Sequence, residues 1–294
     1  MKAAPFEYSR PSDIDEACAL LAADDGARVI AGGQTLVPMM AMRLARPSRL
    51  VDIGRIAALS YVREDTDGIA IGAATRQCAV EHDGLVAQRL PLLAKVMPWI
   101  GHAATRARGT IGGSLANADP AAELELIAIT LDTTLTYRLD GKSVDVPAPE
   151  FFAGAMTTAL PAGACLASAR FPVWREQKVG TGFHEVNARR SDFAFASAAA
   201  QIALDDDGNC KRIAIGIGAV TEAPLRLAEV EKQLTGTRLE EAKVRDAVQG
   251  ALADIEPMSD LHASADYRRR VAVKLATRAI ANAAADAKGK RHAH

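Results

Sequence analysis

Residues 108–124 read RGTIGGSLANADPAAEL, and residues 31–36 read AGGQTL. Each segment sets a glycine pair, Gly112-Gly113 or Gly32-Gly33, beside the start of a structured element. Glycine lets successive backbone N–H groups converge on an anion with no side chain in the way. A helix beginning just beyond adds the positive end of its dipole. Two such loops in one chain predict a dinucleotide held along its length. Neither loop has the GxGxxG spacing of a Rossmann fingerprint, and no Walker segment occurs, so the expected fold is a different one. GIGAV at Gly216–Val220 carries only two of the three glycines at the end of an antiparallel strand and reads as structural.

Working outward, Ser12 with Asp15 predicts a helix start before Ile14, Ala17, Cys18 and Leu21, and RVIAGG reads as a buried strand entering the first loop. LVPMMAMRLA continues as a short helical or irregular stretch, and RLVDIGRI as a strand. Residues 59–64 and 68–73 form a strand pair around Asp67-Gly68. Upstream of the second loop the spacing of Leu90, Leu93, Val96 and Met97 predicts one helix over about Val86–Ile100. Another helix follows over about Ala121–Leu131. TLTYRLDGKSVDV reads as a hairpin at Asp140-Gly141, then EFFAG and the strand ACLASARFPV, with a boundary near Pro172. Residues 180–221 read as three antiparallel strands, and helices are expected at Pro224–Leu234, Leu239–Ile255 and Ala265–Ala285, before a disordered tail KGKRHAH.

A length of 294 residues fits two or three packed units. Hydrophobic residues at 49% and charged residues at 24% are ordinary for a globular chain, and 4% aromatics predict aliphatic cores. Lys+Arg 35 against Asp+Glu 36 gives a net charge of −1, which excludes the electrostatic footprint of a nucleic-acid binder. Arg268, Arg269 and Arg270 read as a solvated helix face. The N-terminus lacks an apolar core with a cleavage site, and no stretch approaches the roughly twenty apolar residues of a bilayer span, so a cytoplasmic protein without membrane insertion is expected. Cys18, Cys78, Cys165 and Cys210 are too scattered for a zinc or iron–sulfur site. The six histidines form no catalytic constellation, and no serine sits in a nucleophile elbow. No catalytic residue and no metal ligand is assigned. Any redox chemistry belongs to a bound cofactor.

Three separated segments, AGGQTLVPMMAMRLARPSRLVDIGRI, IGHAATRARGTIGGSLANADPAAEL and GFHEVNARRSDFA, together resemble the FAD-binding medium subunit of the molybdenum hydroxylases. That family includes carbon monoxide dehydrogenase, xanthine dehydrogenase and bacterial N-heterocycle or nicotine-type dehydrogenases. The resemblance covers residues 1–285. It implies an α+β fold: an FAD-binding domain of the vanillyl-alcohol-oxidase (PCMH) type over 1–175, with α/β subdomains at about 1–56 and 57–175. A C-terminal α+β domain with a small antiparallel sheet and helices follows over 176–286, and then a tail over 287–294. Ile30, Ala31, Gly32, Gly33, Gln34, Thr35 and Leu36 would wrap the FAD pyrophosphate. Thr110, Ile111, Gly112, Gly113 and Ser114 would form a second cradle. Asn117 and Glu123 match contacts to ribityl and ribose hydroxyls, and Ile100 and Leu166 match apolar contacts. Asp192 and Phe193 match the pair beside the isoalloxazine ring. His102 and His184 are further candidate cofactor contacts, and Arg106 or Arg108 a candidate partner for anionic flavin or pyrophosphate.

The same resemblance implies partners: a large subunit with a molybdenum cofactor, a small subunit with two [2Fe–2S] clusters, assembly as a dimer of heterotrimers, and an external electron acceptor. Thr105, Ala107, Asn117, His184 and Ser191 depart from the family's usual residues, which bears on the tuning of the flavin and not on the glycines. The residues leave two other readings open, a self-sufficient flavin oxidase or dehydrogenase and a non-catalytic FAD-binding assembly protein.

Overall fold

The computed structural model describes residues 2–289. The chain begins with strand β1 (Glu7–Ser9), helix α1 (Ile14–Ala22), β2 (Arg28–Ile30), α2 (Leu36–Ala41) and β3 (Arg49–Asp52). The three strands make a parallel sheet in the order β1-β3-β2. The cap of α1 is Asp13, one residue later than the sequence pattern predicts: its carboxylate accepts from Glu16 N at 2.9 Å, while Glu16 reaches back to accept from Ser12 N at 2.6 Å. Ala17, Val51 and Ile53 are buried between α1 and the sheet.

Strands β4 (Val62–Asp65) and β5 (Gly68–Gly72) open a second sheet, followed by helices α3 (Gln77–Glu81), α4 (Gly84–Arg89) and α5 (Pro91–Val96). The single helix expected over 86–100 is therefore two helices and a terminal 3-10 turn. Pro91 disfavours α geometry at the residue before it, and Leu90 stands at φ −126°, ψ 62°. Next come α6 (Ala103–Arg106), α7 (Ile111–Asn117) and α8 (Glu123–Thr130), every residue of the last being buried. β6 (Thr134–Leu139) and β7 (Lys142–Pro147) form the expected hairpin, with Asp140 and Gly141 both at positive φ. Helix α9 (Ala148–Phe151), the short pair β8 (Phe152–Gly154) and β9 (Thr157–Thr158), and β10 (Cys165–Pro172) complete this part. Its main sheet is antiparallel in the order β4-β5-β10-β6-β7, with α5, α7 and α8 on the core side.

The C-terminal part has four antiparallel strands where three were expected: β11 (Val179–Asn187), β12 (Ala194–Leu204), β13 (Cys210–Gly218) and the short β14 (Leu225–Arg226). The last falls on residues read as the start of a helix, which begins only at α10 (Ala228–Leu234). Helices α11 (Glu241–Ala253) and α12 (Ala265–Ala287) follow. Alanines on β12 and α12, and Gly182 on β11, let α12 lie directly on the sheet; a Cβ on Gly182 would overlap the Ala279 carbonyl. The helix thus covers Ala287, the first residue of the expected tail, and residues 290–294 lie outside the described residues. Among the described residues, no helix is long and apolar enough to cross a membrane.

Candidate dinucleotide site

The loop between β2 and α2 and the loop between α6 and α7 meet. Gly32 abuts the Arg108–Gly109 backbone, and the Arg76 guanidinium donates to the Arg108 carbonyl, locking the junction. The chain leaves β2 through Gly33 at φ +71°, a left-handed turn that suits glycine, and α2 starts three residues later. Among the described residues, the N–H groups of Gly32, Gly33, Gln34 and Thr35 have no protein acceptor, while the Gln34 side-chain amide donates to Gly32 O at 3.2 Å. Four consecutive uncommitted donors at one turn form an anion-binding concavity.

The second loop is built differently. Ile111 N donates to Thr75 O, Gly112 N to Ala73 O, Gly113 N to the Thr110 hydroxyl and Ser114 N to Thr110 O. The first two amides secure α7 to the residues just after β5, and the other two close the helix's own first turn on Thr110. What this loop gives the cleft is bare glycine backbone and the side chains that flank it.

Between the loops and the C-terminal domain runs a cleft of about 1080 Å³. Its lining takes in Ile30, Ala31, Gly32, Gly33, Gln34, Thr35 and Leu36 from the first loop, Thr110, Gly112, Gly113, Ser114 and Asn117 from the second, and Ile100, Glu123, Leu166, Asp192 and Phe193. Phe193 is 68% exposed at the rim, on a turn strained by Ser191 at φ +72°. Glu123 is only 8% exposed, and its carboxylate accepts nothing from another described residue. Burial, with Asp119 adding to it, pushes its carboxyl up to about 7.

Three sequence candidates lie elsewhere. Ile111 is wholly buried in the core beneath α7. His102 is exposed at the start of α6 and makes no capping bond. His184 sits on β11 against α12, with Asn282 Nδ2 2.8 Å from its Nε2, and burial followed by the nearby Arg278 and Lys95 charges lowers it to about 4. Arg106 is also not a free cation for the cleft. It is 9% exposed, paired with Glu81 at 2.6 and 2.9 Å, and donates to the carbonyls of Ile100 and Gly101. It holds the approach to the second loop in shape.

Arg268 reverses its sequence reading. Far from a solvated face, it is 2% exposed, donates to Phe195 O and Ala219 O at 2.5 and 2.6 Å, and pairs with Asp260 at 2.6 Å. Together with Met258, Asp260 and His262, which stacks on Phe195 at 5.9 Å between centroids, it adds to the cleft wall beside Asp192 and Phe193. Gln77 and Cys165 are also wall residues that the motifs did not mark. Cys165 is inert: burial pushes its thiol up to about 12. Only tertiary placement distinguishes these residues from ordinary core.

Comparison with known proteins fits this architecture segment by segment. Residues 4–174 match the FAD binding domain in molybdopterin dehydrogenase, and residues 181–283 match the CO dehydrogenase flavoprotein C-terminal domain. The chain belongs to the flavoprotein medium-subunit family of the molybdenum hydroxylases. It is 34% identical to the 6-hydroxypseudooxynicotine dehydrogenase complex subunit alpha of Paenarthrobacter nicotinovorans, covering 96% of each protein. It is 35% identical to the carbon monoxide dehydrogenase medium chain of Afipia carboxidovorans, covering 96% of this chain and 98% of that one. A chain of the quinoline 2-oxidoreductase structure from Pseudomonas putida 86 superposes with a TM-score of 0.92 at 34% identity, over 99% of this chain and all of that one. The N-terminal part is thus the FAD-binding domain of an oxidoreductase family, and the sheet and helices beyond residue 180 are that family's C-terminal domain.

Proposed function

We propose that this chain is the FAD-carrying electron-transfer subunit of a heteromeric molybdenum hydroxylase. It takes electrons from the [2Fe–2S] clusters of a small partner subunit and passes them to an external acceptor, while a large partner subunit holds the molybdenum cofactor and the substrate. The observation that carries this reading is the row of four uncommitted N–H groups at Gly32–Thr35, opening on a cleft long enough for a dinucleotide in a chain that matches medium subunits end to end.

FAD supplies the redox chemistry, since it exchanges electrons singly or in pairs. The chain's residues bind and orient it. The Gly32–Thr35 amides hold the pyrophosphate, with the Gln34 and Thr35 side chains beside them. Gly112 and Gly113 give the phosphates room, and the Thr110 and Ser114 hydroxyls border that space. Glu123 accepts hydrogen bonds from ribose or ribityl hydroxyls with Asn117 nearby, which gives its otherwise unpartnered carboxylate a role. Ile100 and Leu166 supply apolar walls, and Asp192 and Phe193 border the ring end at the rim. The assembly is a cytoplasmic dimer of heterotrimers. Affinity purification of the full chain from its native cell tests the reading: the molybdenum and iron–sulfur subunits are expected to co-purify. A chain that purifies alone and whose flavin is bleached rapidly by a simple organic donor would be a self-sufficient oxidase instead.

A further inference from the structure

Side chains alternate along β11. Gly182 and His184 face α12, so Phe183 and Glu185 face the other way, and Phe183 meets Trp99 of the FAD-binding domain edge-on at 5.5 Å. Glu185 is thus turned toward that domain, where the charged group that acts on it is Glu123 of the cleft wall. Its Oε2 is sealed from solvent and has no hydrogen-bond partner among the described residues. Its Oε1 accepts from Asn187 Nδ2 at 2.8 Å, and the same nitrogen donates to the Asp192 carbonyl at 3.4 Å. A side-chain amide carries two hydrogens, so it can serve both acceptors. The register of β11 on β12 slips between Val186 and Asn187, so regular pairing gives out just before the turn at 188–193. That turn closes on itself through Asp192 N and Arg189 O at 3.0 Å, with Ser191 at φ +72°. Among the described residues, the bond from Asn187 is the one side-chain hydrogen bond to the turn. Phe193, which ends it, is 68% exposed, so core packing does not fix its place.

We propose that Glu185 is a positioning residue for the flavin end of the cleft. Through the Asn187 amide it fixes the Asp192 carbonyl, and with it the turn that presents Asp192 and Phe193 to the bound ring. A carboxyl sealed at one oxygen has a single bond through which to act, and that bond goes to Asn187. The strand anchors Glu185, Glu185 orients Asn187, and Asn187 ties down a turn that the sheet no longer holds. The inference rests on the reading that the cleft holds FAD with its ring at this rim.

Visible circular dichroism of the FAD-loaded full chain reads the asymmetry around the flavin ring and tests this directly. Glu185→Ala and Asn187→Ala are each expected to alter the flavin bands in the same sense. The double variant should go no further than either single one, because both cut one chain of bonds. Burial, with Glu123 second, pushes the Glu185 carboxyl up to about 8, so at neutral pH it is an uncharged acceptor. Glu185→Gln, which keeps an uncharged carbonyl oxygen for Asn187, should therefore restore the wild-type bands. FAD should also leave both Ala variants roughly two- to tenfold faster, the scale of one hydrogen bond. If Glu185→Ala does not fold, Asn187→Ala, at the half-buried end of β11, carries the test. Wild-type bands in either Ala variant, additive changes in the double variant, or altered bands in Glu185→Gln would each overturn the proposal. Phe193→Ala checks the placement of the ring: if it leaves the bands unmoved, the ring lies elsewhere and the proposal falls with that placement. A chain that retains no FAD fails earlier, at the binding reading, which the visible absorption spectrum shows.

Discussion

Gly32 lies directly against Gly109: a Cβ on Gly32 would come within 2.8 Å of the Gly109 Cα and 2.5 Å of the Arg108 carbonyl oxygen. Neither neighbour is a flexible side chain that can swing aside. The contact is what brings the two glycine loops onto one cleft. Gly32→Ala is therefore expected to cost about 1–3 kcal/mol of overpacking. FAD affinity should fall by roughly tenfold or more, since about 1.4 kcal/mol is a factor of ten. Flavin fluorescence titration of the apo chain measures this, and unchanged affinity would contradict it.

Arg106 and Glu81 form a largely buried pair, with side chains 10% and 15% exposed. Removing the cation strands the carboxylate together with the carbonyls of Ile100 and Gly101. Arg106→Ala should lose about 3–5 kcal/mol in a denaturant titration. Arg106→Lys should recover only part of it, because a point charge cannot replace the two-pronged contact.

Much of this site is legible in the sequence because backbone constraints leave a local mark. The Gly-Gly pairs and the Asp140-Gly141 turn record conformations or close approaches that other residues resist. Arg268 is illegible for the opposite reason. Its helical neighbours Arg269 and Arg270 make a polar run, and nothing in that run tells which guanidinium turns inward to the carbonyls of Phe195 and Ala219. His184 fails similarly, since strand alternation gives two faces but not that one of them meets α12. The break at Leu90–Pro91 was visible as a proline but was overridden by apolar spacing that continues across it.

Arg268→Met is expected to free the Met258–His262 segment, which the guanidinium ties through Asp260 to the strands. Cutting by a protease within residues 256–264 should speed up, and FAD should dissociate faster. Stability should fall by about 1–3 kcal/mol, the scale for leaving the Phe195 and Ala219 carbonyls without their donor, since the Asp260 side chain is 46% exposed and stays solvated. Mass-spectrometric mapping of limited proteolysis would reveal the cut, and protection equal to wild type would argue against a clamp.

The buried carboxyls set a pH dependence. Burial first, and neighbouring acids second, raise Glu123, Glu125 and Glu185 to about 7, 8 and 8 from 4.5. Between pH 4.5 and about 8 the folded chain then binds more protons than the unfolded chain, so these groups make unfolding easier as pH rises. His184, lowered to about 4 from 6.5, acts in the opposite sense, but only below pH 6.5. From pH 6.5 to about 8 the urea midpoint of the apo chain should fall, and Glu125→Gln, which cannot ionise, should flatten that fall. A midpoint that rises over this window, or a slope that Glu125→Gln leaves untouched, would refute the assignment.

The flavin content of the purified full chain tests the central claim most directly. Acid extraction with chromatographic identification should yield FAD, close to one per chain, and Gly33→Val should yield almost none, because a β-branched residue strains at the φ of +71° that starts α2. A wild-type chain that folds and yet takes up no FAD, or a Gly33→Val chain that holds its full complement, would contradict the account.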